Sequence, residues 1–298
     1  MNCGYVTILG KPNVGKSTLL NTILNQKVSI VSPKPATTRI KVIGIYNDER
    51  GQIIFIDTPG FEESRNELGK FMLKSIYSSL EETDLILFLI EANGWKEDDE
   101  KILDVLKKLD KKNVILGINK IDTLKFKEEL LPLIDESSKK FNFLEIVPFS
   151  ALKNKNLDSL IKAIFNHLPE SEKLYPVDMI TNIPLEYKLA EIIREKILQK
   201  TFQEVPHSVA VEIEEIKEGE KNKDIVVVKA NIIVDRENLK SIIIGKDGKM
   251  LKTIGKLARE EMEVIFGKKV YLELWVKVIE DWRNKIDVRT FIVENYTP

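Results

Sequence analysis

Two glycines, a lysine and a serine in GKPNVGKS (Gly10 to Ser17) have the types and spacing to wrap a phosphate chain. Gly10 and Gly15 let the backbone come close, and the N–H groups at a helix start make a positive cradle. Lys16 is expected to reach the β- and γ-phosphates, and the Ser17 hydroxyl to ligate magnesium. The expected cradle is Gly10, Lys11, Pro12, Asn13, Val14, Gly15, Lys16 and Ser17, with Thr18 behind it. DTPG (Asp57, Thr58, Pro59, Gly60) supplies a carboxylate that could hold the same metal through a water and an N–H at Gly60 aimed at the γ-phosphate. In PATTR (Pro35 to Arg39), Thr38 is the expected switch residue, giving its hydroxyl to magnesium and its backbone to the γ-phosphate; adjacent Thr37 competes for that role. Lys16, Thr38 and Gly60 are thus the candidate catalytic groups, and Ser17, Thr38 and Asp57 the candidate metal ligands.

Two further segments could read a base. In NKID, an ionised Asp122 is acceptor-only and matches the N1–H and exocyclic amine of guanine, a donor pair that adenine lacks. Asn119 should brace the loop and meet the base's acceptor edge, and the stem of Lys120 can cover the base face. In SAL (Ser150, Ala151, Leu152), the Ala151 N–H could reach guanine O6. In this order the five segments imply a site that binds GTP with magnesium and hydrolyses it.

These segments need rigid supports. Tyr5–Leu9, Ile53–Ile56, Leu85–Ile90, Val114–Ile118 and Ile146–Phe149 are continuous apolar runs, as parallel strands buried on both faces require. Helical patterns alternate with them at Ser17–Asn25, Leu68–Glu82, Glu97–Lys108, Phe126–Phe141 and Leu157–Leu168. This predicts a mainly parallel α/β sheet with helices on both faces and a ligand at the strands' carboxyl ends. Residues 1–170 are expected to form this domain. Three prolines in Pro169–Pro184 mark a linker, assigned to 171–184, and residues 185–298 a smaller α+β domain. There a helix (Glu186–Thr201) precedes two strands (Ser208–Ile216, Asp224–Val234), a short helix (Arg236–Ile243), GKDG, a longer helix (Lys249–Phe266) and a strand (Val270–Val276). A last helix is expected from about Val278.

The five motifs resemble the G1 to G5 boxes of the translation-factor-related GTPases, and TTR followed by DTPG resembles the Era/Der/MnmE group. Phe61 stands where Ras-like relatives carry a catalytic glutamine, so the resemblance implies slow intrinsic hydrolysis. Some relatives hold potassium with a phosphate-loop asparagine, a position that Asn13 occupies here. The second half resembles a type II KH domain, whose GxxG loop clamps single-stranded RNA. Ile244, Gly245, Lys246, Asp247, Gly248, Lys249 and Lys252 are the corresponding candidates. From Lys240 to Arg259 six cations face Asp247 alone, an electrostatic footprint for nucleic acid. Asp247 departs from the glycine usual in that loop and should repel phosphate slightly.

One GTPase domain, a linker and one KH domain together resemble the Era family across essentially the whole chain. That resemblance implies binding near the 3′ end of 16S ribosomal RNA, a role in assembly of the small ribosomal subunit (30S), and peripheral inner-membrane association in some members. A monomer is the expected state. Two other readings use the same residues: an RNA-binding scaffold whose nucleotide is structural, and a GTPase that docks a protein or membrane partner. His207 is expected to satisfy a local turn or hydrogen bond; Trp275 and Trp282 could stack bases, but their places on a strand and an amphipathic helix favour core packing. With 43% hydrophobic and 31% charged residues, the 298-residue chain has a globular composition. A net charge of −1 confines any nucleic-acid surface to a local patch, and the single cysteine, Cys3, excludes an intrachain disulfide. The absence of long apolar runs and of a basic leader predicts a cytoplasmic protein.

Overall fold

The computed structural model describes residues 1–34, 37–61, 67–201, 205, 208–220 and 222–284. The chain divides into two compact units: Met1–Ser29, Thr38–Arg65 and Gly69–Asn182 form one, and Ile30–Thr37, Asn66–Leu68 and Ile183–Pro298 the other.

In the first unit the described strands are β1 (Asn2–Leu9), β2 (Val42–Asp48), β3 (Gly51–Asp57), β4 (Leu85–Glu91), β5 (Val114–Asn119) and β6 (Ile146–Pro148). They form a sheet of order β2-β3-β1-β4-β5-β6, parallel except for β2, which pairs antiparallel with β3. β2 is absent from the sequence-based reading because its residues are only half apolar, as an edge strand's are. The helices are α1 (Lys16–Leu24), α2 (Glu67–Glu81), α3 (Glu97–Lys108), α4 (Leu130–Lys140) and α5 (Leu157–His167). α2, α3 and α4 bury Ile76, Leu80, Ile102, Leu103, Leu106 and Leu133 against β4 and β5. A 3₁₀ turn at Lys127–Glu129 replaces the first turn expected of α4.

Residues 174–181, within the segment assigned as the linker, lie along β2. Ile45 N donates to Ile180 O at 2.8 Å and Thr181 Oγ1 to Ile43 O at 2.7 Å. Buried Gln52 accepts from the N–H groups of Leu174 and Tyr175 and donates to Tyr175 O.

In the second unit, the described strands β7 (Val209–Glu218), β8 (Ile225–Val234) and β9 (Lys269–Val278) form a sheet of that order. β7 runs antiparallel to β8, and β9 runs parallel to it. The parallel return needs a crossover, which α7 (Glu237–Ile244) and α8 (Lys249–Phe266) supply. Leu189, Ile193 and Ile197 of α6 (Leu185–Lys200) share a core with Val228, Ile254, Ala258 and Met262. Arg194 on α6, 1% exposed, pairs with Glu191 and donates to Thr37 O, and Glu195 accepts from Val31 N at 3.0 Å.

The C-terminal helix, Trp275 and His207 differ from expectation or lie outside the described residues. β9 runs on to Val278, and a 3₁₀ turn at Trp282–Asn284 stands where the last helix was expected; residues 285–298 are outside the described set. Trp282 is buried and donates to Ser208 O at 3.1 Å, but Trp275 is 56% exposed because it lies on the sheet face away from the helices. His207 lies outside the described residues.

Gly51 is a position the sequence did not single out. Its φ is +151°, and an added Cβ would lie 1.8 Å from Asn2 O, because β1 and β3 pair there. Gly51→Ala should lower the unfolding free energy of the first unit by about 3 kcal/mol, measured by urea denaturation.

Candidate functional site

The phosphate loop leaves the carboxyl end of β1 and enters α1, with Gly10 at φ +157° and Gly15 at φ +104°. A Cβ on Gly15 would lie 2.3 Å from Asn119 Nδ2, and one on Gly60 2.9 Å from the Pro12 backbone. Both glycines therefore buy close approach between loops, not only turn geometry. Lys16 is 6% exposed, and its ammonium donates to Gly10 O at 2.9 Å and Lys11 O at 3.0 Å. Burial pushes that ammonium down to about 8, against the pull of Asp57.

Three oxygens from three elements converge beside it. Ser17 Oγ donates to Asp57 Oδ2 at 2.7 Å and lies 3.0 Å from Thr38 Oγ1. Thr37 instead donates to Lys34 O at 2.6 Å, so it is Thr38 that meets Ser17. Pro35 and Ala36 of the same motif lie outside the described residues. Asp57 is fully buried, its Oδ1 has no hydrogen-bond partner, and burial raises its pKa against Lys16 and the two serines beside it. The second of these is Ser29, whose Oγ donates to Asp57 Oδ2 at 3.0 Å. Asn21 of α1 fixes Ser29 by accepting from its N–H and donating to its carbonyl. Neither residue belongs to a recognisable motif, so no sequence signal marked them. A set of hydroxyl and carboxylate oxygens with a buried orphan carboxylate oxygen suits a hard divalent cation such as magnesium.

The other DTPG side chains are structural. Thr58 Oγ1 donates to Ile8 O at 2.8 Å, and Pro59 is buried. Phe61 donates its N–H to Gly10 O at 3.2 Å and sinks its ring into the cluster with Ile76, Leu80 and Phe88. Residues 62–66 lie outside the described set.

At the expected base end Asn119 is 2% exposed and hydrogen-bonds to three neighbours. Its Nδ2 donates to Val14 O at 2.9 Å, and its Oδ1 accepts from Lys120 N and Ala151 N. The Ala151 N–H expected to meet the base thus points at Asn119. Ser150 Oγ donates to Asp122 Oδ1 and orients that carboxylate. Lys120, at φ +65°, donates from Nζ to Asn13 O at 2.8 Å. The Asn13 residue is exposed at the loop's tip, and Leu152 is 71% exposed.

The second unit carries its own candidate surface. α7 ends at Ile244, and Gly245 (φ +69°), Asp247 (φ +53°) and Gly248 (φ +71°) turn the chain into α8. Lys246, Lys249 and Lys252 are exposed, and Lys249 Nζ lies 3.9 Å from Asp247 Oδ2, which offsets that carboxylate. Beside this turn α8 and β9 border an open groove of about 1040 Å³, with Lys252, Lys256 and Arg259 on one side and Tyr271 on the other.

Among the described residues no helix is long and apolar enough to cross a membrane, and no cluster of His, Cys, Asp and Glu that could hold a metal is found.

Comparison with known proteins agrees with both halves. Residues 5–120 match the model of the 50S ribosome-binding GTPase family, and residues 204–283 that of the KH domain. GTPase Era of Aquifex aeolicus is 55% identical over 297 residues, covering 98% of this chain and 99% of that protein. Two solved structures superpose with a TM-score of 0.95 at 55% identity, each over 98% of this chain. One is a tyrosine-to-alanine variant of Aquifex aeolicus Era bound to GDP·AlF4⁻, aligned over 99% of its length. The other, aligned over 98%, is Era in complex with MgGDPNP and nucleotides 1506–1542 of 16S ribosomal RNA. The chain belongs to the Era family of GTPases.

Proposed function

We propose that this chain is a GTP-hydrolysing switch that binds the single-stranded 3′ end of 16S ribosomal RNA and acts in assembly of the small ribosomal subunit (30S). The observation that carries the reading is the convergence of Ser17, Thr38 and Asp57 oxygens beside the buried Lys16. Magnesium held there by Ser17 and Thr38, with Asp57 behind them, would neutralise phosphate charge. Lys16 gives a second positive charge to the β- and γ-phosphates, in a dry site where it acts strongly. The Gly60 N–H takes the γ-phosphate, and Asp122 with the Asn119 and Ala151 frame selects guanine over adenine. Phe61 offers no proton acceptor, so intrinsic hydrolysis should be slow. Asn13 is the proposed potassium ligand.

The GKDG turn is the proposed RNA clamp, with Gly245 and Gly248 admitting the backbone and Lys246, Lys249 and Lys252 holding phosphates. Binding of GTP and GDP would differ in how they hold Lys27–Ile40 and Phe61–Ser75, releasing both segments on loss of the γ-phosphate. A cytoplasmic monomer with peripheral association at the inner membrane completes the proposal.

Thr38→Ala should slow single-turnover GTP hydrolysis about 10²-fold, while Thr37→Ala stays within a few-fold. Phosphate release from the parent protein also separates the switch from a scaffold, which would keep its GTP intact. Replacing sodium by potassium should raise the parent's rate; equal rates remove Asn13 from the proposal. For RNA the lysines are better probes than Gly245, where a Cβ would lie 2.6 Å from Met250 Cβ and disturb the turn itself. A Lys246→Ala/Lys249→Ala/Lys252→Ala variant should weaken binding to a 3′-end 16S oligonucleotide. The slope of log affinity against log salt should flatten by about 2, the single-strand value for three lost phosphate contacts.

A further inference from the structure

β4 delivers a carboxylate that belongs to none of the five motifs. Strand pairing sets Glu91 directly across from Asn119, and the Ala92 N–H donates to Asn119 O at 2.8 Å. The last residue of β4 therefore stands beside the first two residues of the base-selecting loop. Its side chain is largely enclosed, with 18% exposed. One oxygen accepts from Lys120 Nζ, and the other lies 4.0 Å from Lys11 Nζ. Lys11 in turn donates to Asp99 Oδ2 at 2.9 Å, and the Asp99 side chain is fully buried. The same Asp99 oxygen accepts from Lys96 N at 3.0 Å and so caps α3.

The result is a chain of alternating charge, Asp99–Lys11–Glu91–Lys120. Its two lysines belong to the two loops that meet opposite ends of the nucleotide. Lys11 follows Gly10 in the phosphate loop, and its carbonyl accepts from Lys16 Nζ. Lys120 donates to the Asn13 carbonyl while Glu91 holds it from the other side. Pro12 lies between these two anchored residues and is the one whose backbone faces Gly60. Moving either loop outward would separate partly buried charges, which costs more than the same separation at an open surface.

We propose that Glu91 is a positioning residue for nucleotide retention. It ties the phosphate loop to the base-selecting loop through Lys11 and Lys120, so that neither end of the nucleotide is released alone. The inference rests on the nucleotide site proposed above. Glu91 acts through the two lysines that its carboxylate faces. Its loss therefore affects the grip at both ends, including the end that reads the base.

The test uses the full chain and its Glu91→Gln variant, which keeps the side chain's shape and removes its charge. GDP dissociation, followed with a fluorescent GDP, should quicken about tenfold, the size of one lost charge-assisted hydrogen bond. The preference for GDP over IDP, which lacks the exocyclic amine read by Asp122, should shrink severalfold as Lys120 loosens. The nucleotide-free protein should unfold at the parent's temperature. Glu91→Asp, which retains the charge on a shorter stem, should fall between parent and Glu91→Gln. GDP release within twofold of the parent in Glu91→Gln overturns the proposal. So does faster release that comes with an unchanged GDP-to-IDP preference and a lowered unfolding temperature, since that pattern is general loosening. A parent protein that retains no GDP refutes the nucleotide site itself, and the role of Glu91 falls with it; a parent that holds GDP while Glu91→Gln releases it no faster refutes the role of Glu91 alone.

Discussion

The Asn119 carboxamide sits where three loops meet and leaves none of them free to move alone. It donates to the phosphate loop at Val14 and accepts from Lys120 in its own loop and from Ala151 in the next. Because the group is buried, losing one of these partners would leave a desolvated polar atom unpaired, which costs about 1–3 kcal/mol. The approach is so close that Gly15 has no room for a side chain. Geometry at the base end and geometry at the phosphate end are thus one problem, solved at the carboxyl ends of β1 and β5.

Around this joint the charges are kept dry. Lys16 and Asp57 each lose solvation, and each is pushed by burial toward its neutral form. An anion beside the lysine and a cation beside the aspartate would restore what water no longer supplies, so a phosphate chain with its metal is the natural complement. Ser29 adds a donor to Asp57 from a segment with no motif, and Asn21 holds Ser29 there. The burial of Phe61 fits the same economy: it seals the floor next to Gly10 with hydrocarbon where a glutamine would have offered a polar group.

The second unit meets a different demand, a tight turn between two helices. α7 and α8 meet at a turn in which Gly245, Asp247 and Gly248 all have positive φ. Aspartate tolerates that region better than most side chains do. Its charge, expected from the sequence to repel phosphate, has Lys249 nearby as a partly compensating cation. Among the described residues α6, α7 and α8 cover one face of the sheet, and Trp275 on the other face is exposed while Trp282, which donates to Ser208 O, is not.

The nucleotide site could be proposed from the sequence because the residues within each of its segments are close in the chain. Phosphate loops, Asp57 and Gly60, and the Asn119–Asp122 turn each need local spacing that only a few residue types satisfy, and continuous apolar runs mark strands buried on both faces. What sequence left open was whatever depends on residues far apart. It favoured Thr38 but left Thr37 as a rival, since only the fold brings Thr38 to 3.0 Å from Ser17. It missed β2, whose mixed pattern at a sheet edge has no distinctive period, and the pairing of residues 174–181 along it. Ser29, Glu91 and Asp99 carry common residue types in unremarkable surroundings, and their roles exist only through contacts across the sheet's carboxyl edge. Local spacing is written in the chain; which distant side chains share a buried volume is decided when the strands pair and the helices close over them.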